Sequence, residues 1–246
     1  AQMVGTGVGT APESGTDVAM LEDTNGDGLA DILIGAPHGV NSAGVQTGLA
    51  FLVNGPVTGT VSLVSADAEW SGESSGDNVG SSVSSGGDVD GDGYGDLLIG
   101  AQGEDTVGAS CGAVYLVLGP ASAGGSIASA QAKLIGYAAD DRLGEHAAAA
   151  DDFDVDGFDD VVVASARNDL VGSSSGGAWV FFGPVSGTLH ASTADAEFLG
   201  TSRTALGASL VSAGDVDGSG TPDLLIGAAY DGTGAGAAYL QLSPGM

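Results

Sequence analysis

The chain has 246 residues, of which 45 are glycine, 43% are hydrophobic and one, Cys111, is a cysteine. Asp and Glu number 32 against 4 Lys and Arg, so the formal net charge is −28. This charge excludes a protein that neutralises DNA or RNA backbones, which requires clustered basic side chains. No apolar run reaches the roughly 18 residues of a membrane span, so no span is predicted.

A nine-residue acidic motif recurs four times along the chain. It reads DTNGDGLAD from Asp23, DVDGDGYGD from Asp88, DFDVDGFDD from Asp152 and DVDGSGTPD from Asp215. The starts lie 65, 64 and 63 residues apart (23 to 88, 88 to 152, 152 to 215). A fixed period of this size indicates a repeat protein. We expect one domain, 1–246, with units at 6–72, 73–136, 137–200 and 201–246 plus 1–5.

Each unit predicts four short strands in chain order. Strand 1 precedes the acidic motif and begins near a glycine, at Gly15, Gly80, Gly144 and Gly207. Strand 2 follows the motif directly as ILIGA, LLIGA, VVVAS and LLIGA, apolar runs that fit strands buried on both faces. Strand 3 carries a central aromatic (LAFLV, AVYLV, GAWVF, AAYLQ), and a proline turn follows at Pro56, Pro120, Pro184 and Pro244. Strand 4 reads AEWSG, AKLIG and AEFLG.

A four-stranded antiparallel meander is the building block of a β-propeller blade. The predicted fold is therefore all-β, a propeller of four blades with an acidic loop between strands 1 and 2 of each. Residues 1–5 (AQMVG) match strand 4, whereas the last unit reaches only its third strand. We expect the N-terminal strand to complete the last blade and cover its open edge. The alternative is that the sequence is a segment of a repeat array, cut by chance between the third and fourth strands of a unit.

The acidic loops predict calcium sites. Oxygen side chains at positions 1, 3, 5 and 9, with glycine at 6, suit Ca²⁺, which takes six to eight oxygen ligands. The predicted side-chain ligands are Asp23, Asn25, Asp27 and Asp31; Asp88, Asp90, Asp92 and Asp96; Asp152, Asp154, Asp156 and Asp160; and Asp215, Asp217, Ser219 and Asp223. The predicted carbonyl ligands belong to Leu29, Tyr94, Phe158 and Thr221.

Up to four calcium ions are expected, one per repeat. Ser219 offers a neutral hydroxyl, so the fourth site should be the weakest, because affinity follows the charge of the ligands. The alternative is a set of Asp/Gly turns that bind no metal.

The strand-1 glycines, the acidic loops and Gly35-Ala36-Pro37 after strand 2 carry a family resemblance. The chain resembles the FG-GAP repeats of the integrin α-subunit β-propeller over nearly all of its length. The resemblance implies calcium on one face and ligand binding on the opposite face. Integrin-type propellers have seven blades and this chain has four units. Either the four close on themselves, which a strand at 1–5 favours, or they join a larger ring.

The face opposite the predicted metals would be formed by the loops between strands 2 and 3 and between strands 4 and 1. All three arginines and two tyrosines map there: Tyr137, Arg142, Arg167, Arg203 and Tyr230. Guanidinium and aromatic groups suit a carboxylate or a sugar. The alternative is local pairing of the arginines with Asp140, Asp141 or Asp169.

The sequence shows no Ser/His/Asp order, no acid–base pair with a recognisable spacing, no phosphate loop and no zinc pattern. We therefore expect no catalytic residues and a non-enzymatic module for adhesion, scaffolding or protein interaction, located outside the cell or at its surface. Its partner would be a protein or glycan of the cell surface or matrix, with self-association as a further possibility. The alternative is a lectin-like or catalytic propeller that uses the face opposite the calcium loops.

Overall fold

The computed structural model describes residues 1–5, 13–230 and 234–243, so the turn predicted at Pro244 lies outside the described residues. In this part of the chain the regular structure is almost entirely β-strand, with three short 3-10 helices. None of its helices has the length and apolar character needed to span a membrane. The prediction of an all-β protein is confirmed.

Each repeat folds into its own antiparallel sheet, with the strands adjacent in chain order. The first sheet contains β2 (Val18–Met20), β3 (Ile32–Ala36), β4 (Leu49–Val53) and β6 (Ala68–Ser71). The second contains β7 (Val79–Gly87), β8 (Asp96–Ala101), β9 (Ala113–Val117) and β11 (Ala132–Ile135). The third contains β12 (His146–Asp151), β13 (Asp160–Ser165), β14 (Gly177–Phe181) and β16 (Ala196–Leu199). The fourth contains β17 (Leu206–Gly214), β18 (Asp223–Ala228) and β19 (Ala237–Gln241).

Short parallel strands link neighbouring sheets at their outer edges. In the connection between the third and fourth strands, β10 (Gly125–Ser126) pairs with β6, and β15 (Gly187–His190) pairs with β11. In the first unit, β5 (Thr60–Ser62) pairs in the same parallel sense with β1 (Gln2–Val4). A 3-10 helix follows each of these strands, at Leu63–Ser65, Ile127–Ser129 and Ala191–Thr193, and buries its first residue.

The prediction that residues 1–5 complete the last sheet is wrong. Strand β1 pairs with β5, beside the first sheet, and the last sheet holds three strands within the described residues. The cause is apolar packing, because Met3 lies against a buried cluster on the outer face of the first sheet that includes Ile34 and Phe51. The expected closure of four units into a ring by β1 and β19 is accordingly not found.

The core lies between the sheets rather than within one of them. Second and third strands are buried on both faces, so alternate side chains pack against opposite neighbours. In β8, Leu97 and Ile99 belong to the cluster shared with the first sheet, whereas Leu98 belongs to the cluster shared with the third. The first strands of successive sheets lie side by side, β2 against β7, β7 against β12 and β12 against β17.

Glycine permits the close approach of neighbouring sheets at the start of strand 1. A Cβ atom on Gly35 would lie 2.1 Å from the carbonyl oxygen of Gly80, and Gly80 itself has a φ of +81°. The same contact recurs one sheet later, where a Cβ on Gly100 would lie 2.4 Å from the carbonyl oxygen of Gly144. The recurrent glycines of the sequence therefore mark where two backbones touch.

Candidate metal centres

The four acidic loops connect the first and second strands of the four sheets, as predicted. The first three loops contact one another in order. The Gly95 amide donates to the Asp23 carbonyl oxygen at 2.9 Å, and the Asp159 amide donates to the Asp88 carbonyl oxygen at 3.2 Å. The loops of these three sheets therefore share one edge of the molecule.

The carboxylate at position 1 of each loop accepts hydrogen bonds from backbone amides of the same loop. In the second loop, Asp88 Oδ1 accepts the Asp92 amide and Oδ2 accepts the Gly93 amide, both at 3.0 Å. The equivalent pair of bonds forms in each of the other loops, at Asp23, Asp152 and Asp215. The glycine at position 6 has a φ between +83° and +97° in all four loops. This turn of the backbone requires glycine, which accounts for its place in the motif.

The carboxylate at position 9 ties each loop to the sheet behind it. Asp96 Oδ2 accepts the Val89 amide at 2.8 Å, and Oδ1 accepts the Gly119 amide at 2.8 Å from the turn after the third strand. The same two-sided bonding occurs at the other three loops, in Asp31, Asp160 and Asp223. All four side chains are fully buried. The loop and the neighbouring turn are thus held in one fixed arrangement.

Three loops bring carboxylate oxygens within 4.8 Å of one another, as a cation site requires. The groups are Asp88, Asp90 and Asp96; Asp152, Asp154 and Asp156; and Asp215, Asp217 and Asp223. The first loop has Asn25 at position 3, whose amide oxygen accepts the Asp27 amide at 2.9 Å. In the fourth loop Ser219 Oγ lies 2.8 Å from Thr221 Oγ1, so hydroxyl groups replace a carboxylate.

The electrostatics of the loops favour a bound cation. Burial raises the pKa of Asp96 and of Asp160 to about 7, despite backbone hydrogen bonds that lower it. Burial and the neighbouring Asp92 raise the pKa of Asp90, and burial and Asp156 raise the pKa of Asp154. Carboxylates held this close repel one another, and a divalent cation removes that repulsion. The all-oxygen donor set fits a hard cation such as calcium.

The structure brings two of the five residues predicted on the opposite face into one groove. Arg203 and Tyr230 line the same open groove of about 410 Å³ with Ser174. Arg167 Nε instead donates to Glu145 Oε1 at 2.9 Å, and not to any of the acids proposed as alternatives.

The two remaining residues of that face have other environments. Tyr137 packs against Trp179 with ring centroids 5.7 Å apart, and its hydroxyl lies 3.4 Å from Glu197 Oε2. The Arg142 backbone amide donates to the Ser110 carbonyl oxygen, and no ion pair involves the Arg142 side chain among the described residues.

A charged network between the first and second sheets was not foreseen. Lys133 Nζ donates to Glu73 Oε1 at 2.8 Å and to Glu104 Oε1 at 2.9 Å, and it lies 5.3 Å from the ring centroid of Tyr115. A third bond to Thr106 Oγ1 uses the last donor of the ammonium group. Glu73 and Glu104 are 60 and 29 residues away in sequence, so no local pattern indicates the network.

Comparison with known proteins agrees with this architecture. The family model described as FG-GAP repeat matches residues 14–53 and 79–117. Integrin alpha-V of Gallus gallus is 32% identical over 214 residues, which is 84% of this chain and 19% of that protein. Integrin alpha-5 of Xenopus laevis is 37% identical over 103 residues, which is 41% of this chain and 10% of that protein. The chain thus spans less than a fifth of the length of either relative.

Proposed function

Because this chain is an FG-GAP repeat protein, we propose that it is a calcium-binding, non-enzymatic propeller module for adhesion or protein interaction outside the cell. The observation that carries the proposal is the repeated loop, in which one backbone frame presents acidic side chains four times. Similarity to two integrin α subunits supports the adhesive role and the extracellular location.

In this proposal the role of calcium is structural, and the bound ions would stabilise the folded loops. The residues at positions 1, 3, 5 and 9 of each loop would hold one ion, with the carbonyl at position 7. When bound, the ion supplies positive charge that stabilises the crowded carboxylates. The buried position-9 aspartates connect that charge to the turn after the third strand, so the bound ion would stiffen each sheet at one end.

Calcium titration by isothermal calorimetry tests the metal assignment. We expect up to four sites, with Asp90→Ala reducing affinity at the second loop more than Ser219→Ala reduces it at the fourth. The reason is that Asp90 contributes a charged ligand and Ser219 a neutral one. Magnesium should bind less well, because it demands a tighter octahedral geometry. Absence of heat on calcium addition to the chelator-stripped protein would refute the assignment.

A carbohydrate- or carboxylate-binding role is the second candidate, and the groove shared by Arg203 and Tyr230 favours it. Arg203 is free of ion pairs among the described residues, so its guanidinium is available to an anionic or sugar ligand.

Binding to a glycan array in calcium, followed by titration of any hit, tests this candidate. Arg203→Ala should weaken binding by about 1.5–3 kcal/mol, the scale of a charge-assisted hydrogen bond. Arg167→Ala serves as the matched control, because Arg167 already pairs with Glu145. Equal affinity of the Arg203 variant and the parent would remove the groove from consideration.

A further inference from the structure

We propose that calcium binding is coupled along the first three acidic loops (23–31, 88–96 and 152–160), so that an ion in one loop raises the affinity of its neighbour. The coupling stops between the third loop and the fourth (215–223). The inference rests on the calcium assignment proposed above and extends it to two positions of the motif: the side chain at position 7 and the backbone amide at position 8. All of the contacts involved join one loop to the next within the chain.

The aromatic ring at position 7 of one loop packs on position 4 of the loop before it. A Cβ atom on Gly26 would lie 2.8 Å from Cε1 of Tyr94, the position-7 residue of the second loop. A Cβ atom on Gly91 would lie 2.9 Å from Cε1 of Phe158, the position-7 residue of the third loop. Glycine at position 4 therefore leaves the space that the ring of the next loop occupies. Each ring contacts a second metal loop besides its own.

The backbone amide at position 8 joins the same pairs of loops. The Gly95 amide donates to the Asp23 carbonyl oxygen, and the Asp159 amide donates to the Asp88 carbonyl oxygen. Between the second and third loops the bonding is reciprocal, because the Asp88 amide donates to Asp159 Oδ2 at 2.8 Å. Asp23 and Asp88 stand at position 1, where the side chain is a predicted calcium ligand. The following loop therefore holds the backbone of a ligand residue in the loop before it.

Three residue changes remove these contacts between the third and fourth loops. Position 7 of the fourth loop is Thr221, whose hydroxyl bonds to Ser219 and Ser243 of its own unit. Position 8 is Pro222, which has no backbone amide to donate. Position 4 of the third loop is Val155 instead of glycine, and it is 42% exposed. Among the described residues no hydrogen bond joins these two loops, so the ring, the amide and the glycine are lost together.

An ion bound in one loop would order part of the loop before it. The predicted ligands include the carbonyl oxygen at position 7, so an ion that holds this carbonyl also restrains the attached ring and the amide at position 8. The preceding loop then has less conformational entropy to lose when it binds its own ion, which makes binding positively cooperative. The effect is reciprocal, because coupling between two binding sites acts equally in both directions. We expect coupling between the first and second sites and between the second and third, but not between the third and fourth.

An NMR titration that resolves the individual sites measures the coupling. In each loop the amide of the position-6 glycine donates to the position-1 carboxylate, so four amide resonances report the four sites separately: Gly28, Gly93, Gly157 and Gly220. In the chelator-stripped parent we expect calcium-binding curves at the first three reporters that are steeper than binding to single sites. A parent in which no reporter responds to calcium would refute the calcium assignment itself, and the coupling with it.

The third loop allows a matched comparison, because it has a neighbouring loop on each side. Asp90→Ala removes a position-3 ligand from the second loop and should lower calcium affinity at the third loop, read at Gly157, by about fivefold or more. Asp217→Ala removes the same ligand and the same charge from the fourth loop and should leave the third-loop affinity unchanged. Third-loop affinities equal to that of the parent in both variants would overturn the coupling and leave the calcium assignment intact. Equal losses in both variants would also overturn it, because they would reflect the lost charge alone.

A substitution at position 7 tests the ring contact without removing a side-chain ligand. Phe158→Thr gives the third loop the residue that the fourth loop has at Thr221, and it retains the backbone carbonyl. We expect it to weaken calcium binding at the second loop, read at Gly93, by about fivefold or more. Phe158→Tyr keeps a ring on Gly91 and should restore the affinity of the parent. Unchanged binding at the second loop in the threonine variant would overturn the role of the ring, as would an equal loss in the tyrosine variant.

Discussion

Val155 shows how one residue can depart from the loop pattern. It stands at position 4 of the third loop with a φ of +66°, where the other three loops have Gly26, Gly91 and Gly218. A β-branched residue in the left-handed region carries a steric cost of about 1–2 kcal/mol. The third loop is therefore the strained member of the set.

Val155→Gly should stabilise the protein. The relief of about 1–2 kcal/mol exceeds the added entropy of the unfolded chain, about 0.4–1 kcal/mol, so we expect a gain of up to about 1 kcal/mol. Urea unfolding in saturating calcium measures it. Val171→Gly, at an exposed valine outside the left-handed region, is the control and should not stabilise. A loss of stability for Val155→Gly would contradict the steric explanation.

The raised pKa of Asp96 should make the stability of the metal-free protein depend on pH. Because burial raises its pKa to about 7, the folded state holds a proton that the unfolded state has lost between its ordinary value of 3.8 and about 7. Stability in chelator should therefore fall as pH rises from about 4 to about 7 and level off above that. Asp96→Asn should reduce this slope, whereas Asp105→Asn, at an exposed site, should leave it unchanged. Thermal unfolding across that pH range would show equal slopes if Asp96 does not contribute.

At the scale of elements, the Lys133 network joins β11 to the loops that follow β6 and β8. Burial alone would raise the pKa of Glu104, but hydrogen bonds from Thr106 and Lys133 outweigh it and lower the pKa. The ionised Glu104 therefore stabilises the fold above its ordinary pKa, and this contribution is lost on acidification.

Lys133→Met should destabilise the protein by about 3–5 kcal/mol, since it leaves Glu104 buried and charged without a partner. Arg167→Ala breaks an exposed pair with Glu145 and should cost at most about 1 kcal/mol. Urea unfolding at pH 7 measures both. On acidification the Lys133 variant should recover part of its loss, because removing Lys133 removes an interaction that lowers the pKa of Glu104 and so favours its neutral form. Equal effects of the two substitutions would show that the network adds little.

At the scale of the whole molecule, a net charge of −28 and four acidic loops lead us to expect that stability depends on cations. Binding to the folded state alone adds about 2.7 kcal/mol per site at a free concentration one hundred times Kd. Excess chelator should therefore lower the melting temperature strongly, calcium should restore it, and magnesium should restore it poorly. Calorimetry in sodium-matched buffers separates the ion effect from ionic strength. A melting curve unchanged by chelator would exclude a structural role for metal.

Local sequence patterns predicted the positions of the main strands and of the acidic loops between them. An apolar run such as LLIGA is buried whichever sheet it joins, and the bonds from Asp88 to Asp92 and Gly93 stay within one loop. The strands β5, β10 and β15 escaped prediction because they are two to four residues long and mostly polar. The Lys133 network was not predicted because Glu73 and Glu104 are distant from Lys133 in sequence.

Sequence by itself determined the repeat, the all-β class, the acidic loops and the likeness of residues 1–5 to a fourth strand. Each depends on residues close together in the chain, where backbone preference and side-chain period decide. Only the tertiary structure decided which edge that strand occupies. Met3 packs on the apolar outer face of the first sheet, and β1 pairs with β5 there, while β19 pairs only with β18 within the described part of the chain. Hydrophobic contact is non-directional, so the pattern of a strand does not specify its neighbour.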